Sequence, residues 1–180
     1  MEGLGGGLRF EFLDNLNAAM QNSPIERQAV RAILITPDHE ILLMRIRLED
    51  VEDVFWIAPG GGLEDGETAE QALRRELQEE LGLEHFEIGP LVWLRQHTFG
   101  MQDRRMMQTE QYWIVHTDRF DPVISDEVEA SYLDRFEWWK AEDLGRTDER
   151  LTPLSLAAIV KGYLERGAPT TTLELEVLVD

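Results

Sequence analysis

The chain has 180 residues, 43% of them hydrophobic, and this length suits one domain with a sizeable core. Its formal net charge of −19 disfavours an extended nucleic-acid surface, because affinity for a phosphate backbone comes mainly from Lys and Arg. No cysteine is present, which excludes disulfides, thiolate zinc sites and cysteine nucleophiles.

The first 27 residues are interpreted as an extension ahead of the main domain. They begin with a glycine-rich stretch, continue with an alternating pattern at Leu8, Phe10 and Phe12 that predicts a short strand, and then suggest a helix around residues 13–21. The segment lacks the positive region and apolar run of a secretory signal, and no stretch of the chain approaches the ~18 apolar residues of a membrane span. We therefore expect a cytoplasmic protein with no membrane partner.

Residues 28–167 are predicted to form the main domain, which opens with strands. Two apolar runs flank Pro-Asp-His-Glu, a pattern that predicts a β-hairpin over residues 29–47. A short β-branched and aromatic run at 54–58 predicts a strand that leads into a glycine loop. Further strands are predicted at about 86–97, 107–116 and 134–139.

A helix is predicted directly after the glycine loop. Thr68 and Gln71 fit a capping box at its start, and Gly82 is a plausible stop at its end. A second, closing helix is predicted to begin at Thr152-Pro153, where proline loses no needed donor, and to run to about Gly167. The remaining tail, residues 168–180, alternates in hydrophobicity and is interpreted as an edge strand or an interface strand.

The first helix places carboxylates beside its apolar face. At about 100° per residue, Glu76 and Glu80 fall in the sector of the apolar residues and Glu79 at its edge, whereas Gln71, Arg74 and Gln78 lie opposite. Two ionised carboxylates at this spacing repel by roughly 3 kcal/mol at an effective dielectric constant of 20. Mg²⁺ or Mn²⁺ would remove that conflict. The alternative is that Arg74 and Arg75 simply pair with these acids on a solvated surface.

The loop before this helix, Pro59-Gly60-Gly61-Gly62, must turn sharply and can bring its backbone close to a ligand. It is not a phosphate-binding P-loop, because no Gly-Lys-Ser/Thr follows it. It is not an EF-hand either, because the alternating oxygen donors are missing.

Together, loop and helix resemble the signature of the Nudix hydrolases. The signature positions are Gly61, Glu67, Arg75, Glu76, Leu77, Glu79, Glu80, Gly82 and Leu83, and every one of them is matched. A looser resemblance covers most of residues 28–165, and the two terminal segments fall outside it.

This resemblance implies a fold, a chemistry and a set of site residues. The implied fold is α/β, an α/β/α sandwich around a central mixed sheet. The implied chemistry is hydrolysis of a phosphoanhydride in a nucleoside diphosphate linked to another group, with Mg²⁺ or Mn²⁺ as cofactor. The implied metal ligands are Glu76, Glu79, Glu80 and the Gly61 carbonyl. Arg75 is implied to orient the glutamates, and Glu67 to be mainly structural.

Other assignments stay open at this point. The candidates for the general base are Glu79, Glu76 and Glu110, and Glu110 could equally be a polar residue at the start of a strand. Candidate phosphate ligands are Arg45, Arg47, Arg104 and Arg105, although the last two suit a solvated loop. His97 and His116 are expected to be structural. Trp56 and Phe99 are expected to pack in the core, with stacking on a base or sugar as the alternative.

The leading functional interpretation is a pyrophosphohydrolase acting on a small nucleotide, such as a nucleoside triphosphate, a nucleotide sugar or a dinucleoside polyphosphate. The alternative is a Nudix domain that senses a nucleotide ligand without cleaving it. Complete retention of the signature glutamates disfavours the alternative. The tail and the N-terminal strand could each pair with a second copy of the chain, which would give a homodimer.

Overall fold

The structure is a computed structural model and describes residues 23–48, 53–101, 104–123 and 132–179. The strand expected around residues 8–12 and the helix expected at 13–21 lie outside the described residues. Neither helix in these ranges has the length and apolar character needed to cross a membrane.

Eight strands and two helices make up the described chain. In order they are β1 (Ile25–Ile35), β2 (Glu40–Leu48), β3 (Asp53–Ile57), α1 (Ala69–Leu81), β4 (Glu87–Met101), β5 (Arg104–His116), β6 (Leu133–Lys140), β7 (Leu151–Thr152), α2 (Leu156–Arg166) and β8 (Leu175–Val179). All six strands predicted between residues 29 and 139 are present. The β4 and β5 strands are longer than predicted, because they pair with each other as far as Met101 and Arg104.

The strands form one mixed sheet in the order β7-β3-β2-β1-β5-β4-β8, and β6 pairs separately with β2. The β1–β5, β3–β7 and β4–β8 pairs are parallel, while the hairpin pairs β1–β2 and β4–β5 are antiparallel. The central parallel pair aligns Ala29 with Glu110 and Arg31 with Tyr112. Two segments far apart in the sequence therefore meet in the middle of the sheet.

The helices cover opposite faces of the sheet, because β1 points alternate side chains to each face. Ile33 and Ile35 belong to the buried cluster that contains α2, whereas Ala32 and Leu34 belong to the cluster that contains α1. The expected α/β/α sandwich with a central mixed sheet is confirmed.

The sheet separates between β1 and β2, and the glycine loop lies in the gap. The register of this pair joins only Ile35 to Ile41. Three backbone hydrogen bonds connect this segment to residues 28–32 of β1 instead: Val30 N to Gly61 O (2.9 Å), Ala32 N to Pro59 O (2.8 Å) and Leu63 N to Gln28 O (3.0 Å). The glycine loop is thus fixed against a central strand, next to the start of α1.

The ends of α1 agree with the sequence prediction. Thr68 and Gln71 form the capping box, and the backbone of Gly82 adopts the left-handed conformation with φ of 66°. Local side-chain chemistry is therefore enough to define this helix.

The predicted start of the closing helix is wrong, because α2 begins at Leu156 with Ser155 as its N-cap. Leu151 and Thr152 are extended and pair with β3 as β7. A residue that precedes proline is sterically pushed away from the helical region, so Thr152 suits a strand.

The tail contains β8, which pairs with β4 at one edge of the sheet. It is thus an edge strand of its own sheet. The division into an extension, a main domain and a tail, and the use of this edge by a second copy, stay predictions.

Candidate active site

A cleft of about 400 Å³ opens where β1 and β2 separate. One wall is apolar and comes from β2 and β3, with Met44, Ile46, Phe55 and Ile57. The other side is polar and consists of Arg27, Arg31, the backbone of residues 60–62, Glu76 and Glu80. The cleft therefore combines an apolar surface with cationic and anionic groups.

Gly60 connects the glycine loop to two charged side chains. Its backbone N–H donates to Glu80 Oε2 at 2.7 Å, and its carbonyl accepts from Arg31 Nη1 at 2.5 Å. Its φ is 129°, and a Cβ at this position would overlap the carbonyl oxygen of Val30. The position therefore requires glycine, both for its backbone angle and for the close approach to β1.

Gly61 lies against the carboxylate of Glu76. A Cβ on Gly61 would fall among the atoms of that carboxylate, so the loop and the helix approach as closely as glycine permits. The Gly61 carbonyl accepts from Val30 N at 2.9 Å, and a carbonyl has a second lone pair. Glu76 and the Gly61 backbone thus lie side by side in the cleft.

Arg75 is hydrogen-bonded to several groups around the start of α1. It binds Glu67 through two nitrogens at 2.9 and 3.0 Å, the Gly62 carbonyl at 2.9 Å, Glu76 Oε1 at 2.7 Å and Glu79 Oε2 at 3.2 Å. The Glu67 hydrogen bond is the largest cause that raises the pKa of Arg75, and in turn Arg75 lowers the pKa of Glu67. A planar donor of this kind fixes the three carboxylates relative to the loop.

The three helix carboxylates differ in exposure. Glu80 is buried, the Glu76 side chain is 13% exposed, and the Glu79 side chain is 60% exposed and directed to Arg75. Within the described ranges, no three acidic or histidine side chains are already gathered around one point suited to a metal ion. The alternative pairing predicted from the sequence is seen in part: Arg75 binds Glu76 and Glu79, whereas Arg74 binds Glu70.

Glu110 is buried in β5 and surrounded by donors. Its carboxylate accepts from Gln108 Nε2 and Tyr112 OH at 2.9 Å, from Arg31 Nε at 3.1 Å and from Arg95 Nη1 at 3.3 Å. His97 Nε2 lies 3.7 Å away. With both oxygens already engaged, Glu110 is poorly suited to accept a proton from water.

The pKa of Glu110 reflects two opposing effects. Burial favours the neutral acid, but Arg31, His97 and Arg95 outweigh it and hold the pKa below its ordinary value. Ionised Glu110 therefore stabilises the fold fully above the pKa of the unfolded chain, and this contribution is lost as the pH falls through the lower, folded pKa.

We accordingly expect a pH-dependent difference in the free energy of unfolding between the unaltered chain and Glu110→Gln. The advantage of the unaltered chain should shrink as the pH falls below the ordinary value of 4.5. Urea unfolding at a series of pH values measures it, with exposed Glu70→Gln as control. A difference that does not vary between pH 7 and pH 3 would show that Glu110 is not held ionised.

The arginines predicted to bind phosphate are not among the residues that line the described cleft. Arg45 lies on the opposite face of β2 from Met44 and Ile46, where it binds Asp134 at 2.7 Å. Arg47 also faces Asp134, at 3.9 Å, and Arg105 is exposed near the start of β5. Trp56 is fully buried in the core, so it is not available for stacking on a ligand.

Sequence reasoning missed Arg27 and Arg31 as cleft residues. The available signal was Arg31 itself, a charged side chain inside the otherwise apolar run of a central strand. Such a residue normally needs a partner when it is buried. Its partner Glu110 is 79 positions away in the sequence, so only the fold identifies it.

In a comparison with known protein families, the family model described as NUDIX domain matches residues 26–158 of this chain. A Proteus vulgaris protein named 8-oxo-dGTP diphosphatase is 70% identical over 30 residues, which cover 17% of this chain and only 27% of that protein. A protein of Enterobacter sp. (strain 638) named Nucleoside triphosphatase NudI is 34% identical over 97 residues, 52% of this chain and 67% of that protein.

Among solved structures, the MutT protein from Methanosarcina mazei Go1 is similar, with a TM-score of 0.58 and 16% identity. The similarity covers 82% of this chain and 99% of that protein. At this identity the likeness concerns the fold alone.

Proposed function

The chain belongs to the NUDIX family, and we propose that it is a metal-dependent hydrolase of a phosphoanhydride bond in a nucleoside-diphosphate-linked substrate. The observation that carries the proposal is the contact between the glycine loop and α1, which brings Glu76 and Glu80 to one cleft. The names of the relatives, an 8-oxo-dGTP diphosphatase and a nucleoside triphosphatase, support the same class of substrate.

The groups in the cleft that could coordinate a metal ion fit Mg²⁺ or Mn²⁺. All of them are oxygens, namely the carboxylates of Glu76 and Glu80 and the Gly61 carbonyl, and these ions prefer oxygen ligands. Mg²⁺ is typically held by one or two carboxylates together with substrate phosphates, so a ready-made cage of three acids is not required. When bound, the ion would neutralise charge on the phosphoryl oxygens and lower the pKa of a bound water.

The protein groups would orient the substrate and accept the proton. Arg75 holds Glu76 in place and ties it to the loop, while the Gly60 N–H fixes Glu80. The apolar wall of β2 and β3 suits the nucleoside portion, because ligand sites combine apolar surface with a few polar groups. The substrate phosphates would then lie toward the carboxylates and the arginines of β1.

Glu79 is assigned the role of general base, and a contribution to metal binding is also proposed for it. It is the most exposed of the three carboxylates, and Arg75 orients it without enclosing it. Glu110 is not proposed as the base, because it is buried among four donors.

The test is a panel of nucleoside triphosphates, nucleotide sugars and dinucleoside polyphosphates incubated with Mg²⁺ or Mn²⁺. We expect release of phosphate, pyrophosphate or a nucleoside monophosphate from at least one class, and the identity of the products shows which bond was cleaved. EDTA should abolish the release, and readdition of the metal should restore it. Binding of a nucleotide without any turnover would favour the ligand-sensing alternative instead.

A further inference from the structure

Arg31 uses its guanidinium to join three parts of the protein. Nε donates to Glu110 at 3.1 Å, and Nη1 donates to the carbonyls of Gly60 and Ala58 at 2.5 and 3.4 Å. No acceptor for Nη2 is found among the residues that the structure describes, and the side chain, 14% exposed, lines the same cleft as Glu76 and Glu80. Two N–H donors of a fixed cation in the lining of the cleft thus have no acceptor within the described part of the chain.

Glu110 determines how Arg31 is held. It lies outside the lining of the cleft, and its carboxylate is fixed by Arg95, Gln108 and Tyr112. The parallel pairing of β1 with β5 places the two residues next to each other. A guanidinium fixed on two sides has little freedom left to lose, which favours strong binding by its remaining donors.

We propose that Arg31 binds a phosphate of the substrate through Nη2 and that Glu110 is a positioning residue, which acts only by holding Arg31 beside the glycine loop. The inference rests on the proposed function and names the polyphosphate as the part of the substrate recognised here. Guanidinium is a suitable donor for phosphate because it is always charged and planar.

Affinity for methylenebisphosphonate, a pyrophosphate analogue that is not hydrolysed, tests the proposal in the presence of Mg²⁺. By calorimetry, Arg31→Gln should bind it about 10- to 100-fold more weakly, the usual range for loss of a hydrogen bond to a charged group. Arg119→Gln is the matched control, because Arg119 is exposed and pairs with Glu40, and its affinity should be unchanged. Should Arg31→Gln fail to fold, Arg31→Lys replaces it, with a loss of about tenfold or less expected.

A second measurement separates direct contact from an effect on the loop. Mn²⁺ affinity without bisphosphonate should not fall in the Arg31 variant, because Arg31 is not a metal ligand. A fall in both affinities would mean that Arg31 acts through the shape of the loop, and the proposal would be overturned.

The positioning role of Glu110 predicts that the effects of substituting Arg31 and Glu110 on bisphosphonate affinity are not additive. In a Glu110→Gln background, Arg31→Gln should cost less bisphosphonate affinity than it does in the unaltered chain, because Arg31 is no longer held in place. Equal costs in both backgrounds would overturn the role of Glu110.

The outcomes also separate this inference from the proposed function. Bisphosphonate binding that depends on Arg31, in a chain that hydrolyses no nucleotide, would overturn only the proposed function. Hydrolysis together with unchanged bisphosphonate affinity in Arg31→Gln would overturn only the present inference. No binding of bisphosphonate by the unaltered chain would also overturn it.

Discussion

Glu79→Gln is expected to lower kcat by about 10²- to 10⁴-fold, the range usual for loss of a positioned general base. Glutamine has the same shape as glutamate but cannot accept the proton of the attacking water. Because the Glu79 side chain is 60% exposed and its ion pair with Arg75 lies at the surface, the free energy of unfolding should change by less than about 1 kcal/mol. Steady-state rates on a nucleotide that the unaltered chain cleaves, combined with urea unfolding, measure both quantities.

The matched control for this substitution is Glu70→Gln on the same helix. Glu70 is 64% exposed and binds Arg74 across one helical turn, as Glu79 binds Arg75, but it is not one of the signature glutamates. Its kcat should be unchanged. If the two variants retain equal rates, Glu79 is not the general base.

Gly60→Ala is expected to have the largest effect on stability, a loss of about 3 kcal/mol or more from a total that is typically about 5–15 kcal/mol. Alanine is strained at a φ of 129°, and its Cβ would overlap backbone atoms of Val30 in the central strand. Relief would require the loop to leave β1, which would also break the bonds from Gly60 to Glu80 and Arg31. Urea unfolding monitored by tryptophan fluorescence measures the loss.

Gly66→Ala separates the effect of backbone strain at positive φ from the effect of steric overlap, since both act in Gly60→Ala. Gly66 has a φ of 80°, but a Cβ there would meet no atom within 4 Å. Its substitution should cost only about 1 kcal/mol, the usual penalty for alanine at positive φ. A similar loss for the two variants would mean that the close approach to β1 contributes nothing to the effect at Gly60.

Features that depend on neighbouring residues could be predicted from the sequence. The start and end of α1 follow from Thr68, Gln71 and Gly82, whose side-chain and backbone chemistry acts within one turn. The hairpin of β1 and β2 likewise follows from two apolar runs around a short turn. Burial of Glu80 could also be anticipated, because it lies on the apolar side of the helix.

Features that depend on remote pairing could not be predicted. Arg31 and Glu110 meet because β1 and β5 are parallel neighbours, and neither local periodicity nor spacing specifies that register. The orientation of Arg45 away from the cleft depends on which face of β2 is buried against which helix. The predicted start of α2 is wrong because Leu151 and Thr152 pair with β3 as a strand. This tertiary interaction outweighs the helical signal of a proline.

The parallel pairing of β1 with β5 also limits how early β1 can be covered while the chain is being synthesised. The partner strand of β1 is synthesised late, since Arg31 and Glu110 are 79 positions apart. Closing so long a loop costs entropy, and contacts of this kind form slowly. While the ribosome is still translating the intervening segment, the apolar residues of β1 have no strand to cover them on that side, and such surfaces attract other unfolded chains. The strand that carries the cleft arginine therefore keeps one edge unpaired until β5 has been made.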